Sequence, residues 1–226
     1  MIKIYNEIMG KTSLSFAYRM MKENILRLDL KPGQELKDVE LQTKLRMSRT
    51  PIREAILLLK HDGLVENKKN GTCVKKISRS KFRDGCVLRS CLEKKMLKIA
   101  CENFTEKELG VLEEILKEQE KVMNTTRDYQ ELHRLDIKFH QAIFEETGHN
   151  NLFVIAYTGF FDYWRVRELA RYSKVNSVEI LDGHKKIYSI IKNNTPKLID
   201  EVMEEHFSLL DPELKELLDE YPFYFE

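Results

Sequence analysis

Apolar residues recur with a helical period along most of the chain, which predicts a mostly α-helical protein. The N-terminal third is predicted to form three short helices, the second capped by Asp38 and the third starting with Thr50 as its cap and Pro51 as its first residue. Two short apolar runs follow on either side of Asn70 and Gly71, a dipeptide typical of tight hairpin turns. Three helices followed by a small hairpin predict a winged helix-turn-helix.

The remaining two-thirds of the chain has long amphipathic runs, short polar links and no strand-like alternation. This pattern predicts an antiparallel all-helical bundle, in which one helix starts at Asn150 and continues through Trp164. We therefore expect two domains, a winged helix-turn-helix over residues 1–79 and a helical bundle over residues 80–226. An aromatic segment at residues 221–225 is expected to pack on the bundle or on a partner.

Charge is divided unequally between the two predicted domains. Residues 1–79 hold 17 Lys and Arg against 9 Asp and Glu, whereas residues 80–226 hold 21 against 28, so net charges of +8 and −7 almost cancel. A basic domain favours binding to a polyanion such as nucleic acid, because each neutralised phosphate releases counterions. The alternative is a chance asymmetry on a single soluble enzyme.

Composition also excludes several classes of protein. No apolar run approaches the ~18 residues needed to span a membrane, and the N-terminus has no apolar segment of signal-peptide length, so we expect a cytoplasmic protein with no membrane partner. The four cysteines show no CxxC spacing, which argues against a cysteine zinc site, and a reducing cytosol argues against disulfides.

The start of the third predicted helix carries candidate DNA-contacting residues. Arg49 and Arg53 lie in or next to its first turn, where a recognition helix contacts base edges, and arginine can bind guanine bidentately. Thr50 and the free backbone N–H groups beside it suit phosphates. The hairpin adds a candidate wing tip made up of Lys68, Lys69, Asn70 and Gly71. The alternative is that the two arginines only decorate a solvated helix start.

Two segments of this domain resemble the GntR family of bacterial transcription regulators. They are Pro32-Gly33-Gln34-Glu35-Leu36 and Ser48-Arg49-Thr50-Pro51-Ile52-Arg53-Glu54-Ala55. The resemblance covers about residues 12–77 and implies that Arg49 and Arg53 contact bases or adjacent phosphates of a double-stranded DNA operator, with Thr50 and the wing tip in support. Some members carry an arginine where this chain has Val39, so one family contact is expected to be absent.

The predicted bundle contains a candidate metal centre. Asp136 and His140 are four residues apart on one predicted helix, on its apolar face, and burying such groups unpaired is costly. His184 and His206 lie on or beside the apolar faces of two further helices, so the four side chains can converge; His133 is expected to point off the inward face. Imidazole and carboxylate ligands suit Zn, Ni, Mn or Fe. The alternative is a set of ordinary hydrogen-bonded core residues.

The spacing of these four residues resembles the FCD effector domain of FadR-type GntR regulators, over about residues 80–210. The resemblance implies a helical bundle in which the same four residues hold a divalent metal, whose coordination a small carboxylate effector completes. It also implies that Arg89 faces the effector pocket, where its guanidinium can pair with a carboxylate. The alternative for Arg89 is a surface or interdomain salt bridge.

These observations predict a homodimeric, DNA-binding transcription regulator, with repression as the favoured sign, that a small carboxylate metabolite controls. Residues 80–226 would then carry the metal, the effector and the dimer contacts. Two alternatives stay open: a metalloenzyme that uses the Asp/His₃ site, and a regulator whose metal is purely structural. The lack of an HExxH signature and the basic N-terminal domain weigh against the enzyme.

Overall fold

The structure, a computed structural model, describes residues 2–5, 12–69, 71–171 and 177–226. These ranges contain one two-stranded sheet, made up of β1 (Val65–Lys68) and β2 (Gly71–Val74), and two short 3-10 helices, Pro196–Leu198 and Pro222–Tyr224. Their α-helices are α1 (Ser13–Leu26), α2 (Asp38–Leu45), α3 (Arg49–His61), α4 (Arg79–Asn103), α5 (Glu106–Asn124), α6 (Tyr129–Glu146), α7 (Asn150–Thr158), α8 (Phe161–Ala170), α9 (Ser177–Lys192), α10 (Ile199–Ser208) and α11 (Leu210–Glu220). The predicted mostly α-helical fold is confirmed.

The first three helices and the hairpin form a winged helix-turn-helix, as the sequence predicts. α1 starts with a capping box between Thr12 and Ser15, and it packs against α3. Met20, Ile25 and Ile52 are completely buried in the core between these helices. This core holds the first turn of α3 in a fixed position at the surface.

Two helix starts differ from the prediction. α2 starts at Asp38 without a side-chain cap, because the Asp38 carboxylate lies next to Arg49 and Arg53 instead. α3 starts at Arg49, two positions before the predicted first residue, Pro51. Proline is tolerated there because the N–H groups of a first helical turn have no partner within the helix.

The hairpin forms the wing. β1 and β2 pair antiparallel, and Lys68 lies opposite Gly71 at the turn. Gly71 has φ 139°, a conformation that favours glycine, and a Cβ at this position would lie 3.3 Å from Glu35 Oε1. The turn therefore requires the residue type that the sequence provides.

The second domain is a helical bundle. α4, α5, α6, α9 and α10 pack against one another around a core that includes Leu112, Phe139, Ile187 and Ile199, all completely buried. The boundary predicted at residue 79 coincides with the first residue of α4. Among the described helices, none combines the length and the apolarity needed to cross a bilayer.

The single helix expected from Asn150 through Trp164 is wrong, because the chain forms two helices there, α7 and α8. They are separated at Gly159 and Phe160, and Phe160 has φ −122° and ψ 82°, outside the helical region. Glycine has a low helix propensity, which favours a break at this point. The break sets α8 against α1, α4 and α11, so that one helix contacts both domains.

Residues 75–78, called the linker below, join the wing to α4 and are held on two sides. Arg165 of α8 donates to the carbonyl oxygens of Lys75 at 2.6 Å and of Lys76 at 3.2 Å. Ile77 is completely buried and pairs with Phe225 in a parallel bridge. The aromatic segment therefore packs on the linker, and the two domains are joined by hydrogen bonds and buried side chains.

Candidate functional sites

The first turn of α3 presents two arginines to solvent. The side chains of Arg49 and Arg53 are 60% and 59% exposed, and the Nε atom of each lies 3.3 Å from Asp38 Oδ2. Thr50 is exposed between them. Exposed ion pairs of this kind contribute little free energy, so a phosphate or a base edge can replace Asp38 at small cost.

The wing tip presents further positive charge. Lys68, Lys69 and Gly71 are exposed, and Lys68 Nζ lies 3.1 Å from Glu66 Oε1. Asn70, the fourth predicted wing-tip residue, lies outside the described residues. A basic hairpin tip suits contact with a nucleic-acid backbone.

Three helices bring the four predicted metal ligands together. Asp136 and His140 lie one turn apart on α6, His184 lies on α9 and His206 on α10. The Nε2 atoms of His184 and His206 each lie 3.3 Å from His140 Nε2. Asp136 Oδ1 lies 3.3 Å from His184 Nε2 and 3.7 Å from His140 Nε2. Three imidazole nitrogens therefore meet at one point in the bundle, and the Asp136 carboxylate lies beside two of them.

The opposite nitrogens of two of these rings contact polar groups outside the cluster. His184 Nδ1 lies 3.1 Å from Gln119 Oε1, and His140 Nδ1 lies 3.0 Å from Glu93 Oε2. An amide oxygen and a carboxylate both favour a proton on the nitrogen that they face. The Nε2 lone pairs of both rings then point into the cluster, towards each other and towards a carboxylate. Without a cation, the His184 proton can lie on Nε2 instead and be donated to Asp136 Oδ1, at 3.3 Å.

Burial sets the protonation state of the cluster. It lowers the pKa of His184 and holds that of His206 well below its usual value, so both rings are neutral at neutral pH. Burial alone would raise the pKa of Asp136, but the His184 hydrogen bond and the Arg167 charge outweigh it and hold this pKa well below its usual range. Neutral imidazoles with an ionised carboxylate are the forms that bind a metal ion.

The donor spacing also suits a metal. With metal–nitrogen bonds of about 2.1 Å, neighbouring ligand atoms lie about 3.0 Å apart at octahedral angles and about 3.4 Å apart at tetrahedral angles. The separations among Asp136, His140 and His184, and between His140 and His206, are 3.3–3.7 Å and close to these values. Asp136, His140, His184 and His206 therefore fit a divalent ion of the Zn, Ni, Mn or Fe class.

A close approach of α9 and α10 makes this cluster possible. A Cβ placed on Gly183 would lie 2.7 Å from His206 Nδ1, which is too short for a contact. The glycine thus leaves room for the imidazole on the neighbouring helix.

Two small adjoining cavities open beside the cluster and share Asp136, Arg167 and Glu213 among their lining residues. Arg89 lines the smaller one, and its role towards an effector stays a prediction. Its guanidinium is buried, donates from Nε to Glu93 Oε1 at 2.7 Å, and bonds the Tyr163 hydroxyl. The alternative of a surface or interdomain salt bridge is wrong, because this pair lies inside the bundle.

A second buried arginine at the cavities was missed in the sequence. Arg167 donates to Glu213 Oε2 at 2.5 Å and to Asp136 Oδ2 at 3.4 Å, and all three side chains are buried. The sequence carries no local signal for this contact, because its partners lie 31 and 46 residues away. For Gln119 the sequence does contain a signal of burial, since this residue continues the apolar stripe of α5 at helical spacing.

The expectation that His133 points off the inward face of its helix is wrong. It lines the larger cavity with Arg167 and Asp136, and its Nε2 atom is buried without a hydrogen bond. Burial, together with the Arg167 charge, lowers the pKa of His133 to about 3. The ring therefore stays neutral in the folded protein.

Comparison with known proteins agrees with this arrangement of two domains. The FCD domain matches residues 84–209, more than half of the chain, and the model for bacterial regulatory proteins of the gntR family matches residues 14–74. The chain belongs to the GntR family of FCD-domain regulators. The resemblances found in the sequence are thus confirmed, and this regulator belongs with DNA-binding transcription factors and not with enzymes.

Several relatives share the whole architecture of this regulator. It is 28% identical to an HTH-type transcriptional regulator of Streptomyces ambofaciens, over 87% of this chain and 83% of that protein. It is 23% identical to the HTH-type transcriptional repressor RspR of Escherichia coli, over 90% and 89%. A solved GntR regulator from Rhodococcus sp. RHA1 has the same fold, with a TM-score of 0.64 at 18% identity over 90% and 97% of the two chains.

Proposed function

We propose that this regulator is a homodimeric repressor whose hold on its operator depends on a small carboxylate effector bound at a divalent metal. The observation that carries the proposal is the meeting of three imidazole nitrogens inside the bundle, with one carboxylate oxygen 3.3 and 3.7 Å from two of them. Asp136, His140, His184 and His206 are its proposed ligands. The bound ion would act as a Lewis acid with open coordination positions for an anionic effector.

The polar groups around the cluster support this role. Gln119 and Glu93 orient the His184 and His140 rings from the outside, as partners of metal-binding histidines commonly do. On the cavity side, Arg89 and Arg167 bring two guanidinium groups next to the cluster. A carboxylate that enters there meets positive charge from the ion and from at least one arginine, which favours a small organic or sugar acid.

The DNA-binding half of the proposal rests on α3. Its exposed Arg49 and Arg53, with Thr50, suit the major groove, and Lys68, Lys69, Asn70 and Gly71 suit the flanking backbone. Two copies of the chain would contact two half-sites of a pseudo-palindrome. Repression is the sign that the name of the relative RspR supports.

Metal analysis of the purified protein tests whether the four proposed ligands bind a divalent ion. We expect about one divalent ion per chain in the wild type and a large loss of that ion in His184→Ala. His61→Ala is the matched control, because the His61 side chain is 89% exposed on the other domain. Full metal content in His184→Ala would contradict the assigned ligand set.

Measurements of operator binding test whether a carboxylate effector changes the affinity for DNA. DNA selected from a random pool by the wild-type protein is titrated with metal-loaded protein, with and without acetate, malate and gluconate at constant ionic strength. At least one acid should change the affinity for DNA, by about 5–150-fold for a typical coupled system. Affinity that is indifferent to every acid tested would favour the purely structural metal instead.

A further inference from the structure

Beyond the proposed ligands, one polar chain runs from the metal cluster towards the linker. Asp136 faces His184 with Oδ1 and Arg167 with Oδ2, at 3.3 and 3.4 Å. Arg167 in turn donates to Glu213 of α11 at 2.5 Å. Both cavities are lined by Arg167 and Glu213, so this ion pair lies where an effector would enter.

Glu213 already forms with Arg167 the ion pair that an effector carboxylate would form. Its carboxylate is buried and lies on the cavity wall that also carries His140 and His206. A carboxylate ligand that pairs with Arg167 has to replace this internal carboxylate, since both make the same bond to the same guanidinium.

α11 connects this ion pair to the linker. Leu214 and Leu217, one and four residues after Glu213, are buried in a cluster that also contains Ile77 and Phe225. Tyr221, just after α11, stacks on Tyr224 at 5.4 Å between ring centroids. A shift of Glu213 would therefore be passed along a packed helix to its far end.

The segment after α11 is hydrogen-bonded to the linker. The Ile77 backbone N–H donates to the Tyr224 carbonyl at 2.8 Å, and the Glu226 N–H donates to the Ile77 carbonyl at 3.0 Å. Lys75, two residues before Ile77, donates its N–H to the Leu64 carbonyl next to the wing, at 2.9 Å. This segment lies outside the part of the chain that the FCD family covers, which ends at residue 209.

We propose that Glu213 occupies on Arg167 the place of an effector carboxylate, and that α11 with residues 221–226 transmits its displacement to the linker and so to the DNA-binding domain. This inference rests on the proposed function, because it assigns the competitor and the coupling element of the same pocket. Coupling of this kind needs an element with two arrangements that effector and DNA favour differently.

Titration of zinc-loaded, full-length protein with malate and with acetate tests the first half. Glu213→Gln should bind both acids more tightly than the wild type, by about fivefold or more, since removing a competing conformation raises the apparent affinity. Without acid, its operator affinity should shift in the direction in which malate shifts that of the wild type. Glu216→Gln, the same change at an exposed position of α11, is the matched control.

A variant of the segment after α11 tests the second half. Phe225→Ala should bind malate like the wild type, while its operator affinity no longer responds to malate. Phe223→Ala is the control, because Phe223 is 81% exposed whereas Phe225 is buried, and it should keep the response. If Glu213→Gln fails to fold, Phe225→Ala still tests the inference, because this substitution leaves the pocket unchanged.

The outcomes separate this inference from the proposed function. If the wild type binds an acid and folded Glu213→Gln binds it no more tightly, or if Phe225→Ala keeps the full response, the inference is overturned alone. If neither acid binds the wild type or Glu213→Gln, carboxylate sensing fails and takes the inference with it. Binding to Glu213→Gln but not to the wild type would support both.

Discussion

Two pairs of arginines in this protein are placed in opposite surroundings. Arg49 and Arg53 on α3 are largely exposed and share one half-exposed carboxylate at 3.3 Å. Arg89 and Arg167 are buried, and each has a close buried carboxylate partner, at 2.7 and 2.5 Å. The same guanidinium group thus forms weak, exposed ion pairs on α3 and close, buried ion pairs at the cavities of the bundle.

This difference in exposure determines what each pair can do. An exposed pair costs little to break, so its arginines are available to any polyanion that approaches. A buried pair costs much to break unless another anion takes over, so its arginines give up their carboxylate partner only to another anion. The exposed arginines can therefore pair with any polyanion, whereas the buried arginines change partner only when another anion binds.

The largest effect is expected when a buried pair is broken. Arg167→Met leaves the Asp136 and Glu213 carboxylates without their cation, and it should lower the free energy of unfolding of the metal-free protein by about 3–5 kcal/mol in chemical denaturation. Arg134→Met, at an exposed ion pair with Glu131, should cost less than about 1 kcal/mol.

A double variant sharpens this result. Arg167→Met combined with Glu213→Leu removes both charges of the closer pair, and it should recover much of the lost stability. Equal losses for the single and the double variant would show that the Arg167–Glu213 pair is not what stabilises the pocket.

The next effect concerns DNA. Arg49→Ala and Arg53→Ala should each weaken operator binding by about 1–3 kcal/mol in a mobility-shift titration, because each removes a contact to a base or a phosphate. Arg83→Ala, at an exposed arginine of α4, is the control and should bind like the wild type. Unchanged affinity in both α3 variants would remove α3 from the interface.

A pH-dependent effect follows from His133, whose pKa is about 3 in the folded protein because of burial and the Arg167 charge. The unfolded chain protonates this ring near pH 6.5, whereas the folded protein does not until about pH 3. Stability therefore falls as the pH falls from 6.5 towards 3, by up to about 1.4 kcal/mol per pH unit from this group. Denaturation of His133→Gln between pH 7 and 4 should show a correspondingly shallower loss, whereas exposed His61→Gln should follow the wild type.

The smallest effect is expected at Asp38. Asp38→Asn releases both surface arginines from their shared carboxylate and should tighten operator binding, by less than about 1 kcal/mol. Glu40→Gln on the same helix removes a charge that pairs with Lys37 and not with the arginines, so it should have a weaker effect. Weaker DNA binding in Asp38→Asn would mean that Asp38 orients the arginines for DNA instead of competing with it.

Helical spacing was sufficient to predict much of this molecule. It places Asp136 and His140 on one inward face, and the structure brings them together with His184 and His206; their role as metal ligands stays a prediction. Local signals also located the wing at Gly71, because the turn conformation restricts the residue type.

The remaining features depend on contacts that no local pattern contains. Arg167 pairs with Glu213 across 46 residues, and the linker contacts Arg165 of α8 and residues 221–226, all far from it in the sequence. The helix break at Gly159 was underestimated because apolar residues continue on both sides of it. The sequence predicts a cap at Asp38, since the pairing of this residue with Arg49 and Arg53 depends on how α2 packs on α3.

Gly183 shows how a position without a side chain can limit the variation of a whole pocket. A single methyl group there would occupy the space of the His206 ring, so substitution by alanine would push one imidazole away while leaving every donor in the sequence. Searches for similar centres in other genomes should therefore require the small residue as well as the acid and the three histidines. Sequences that keep the donors but carry a bulkier residue at this point are candidates for regulators in which the four side chains do not come together.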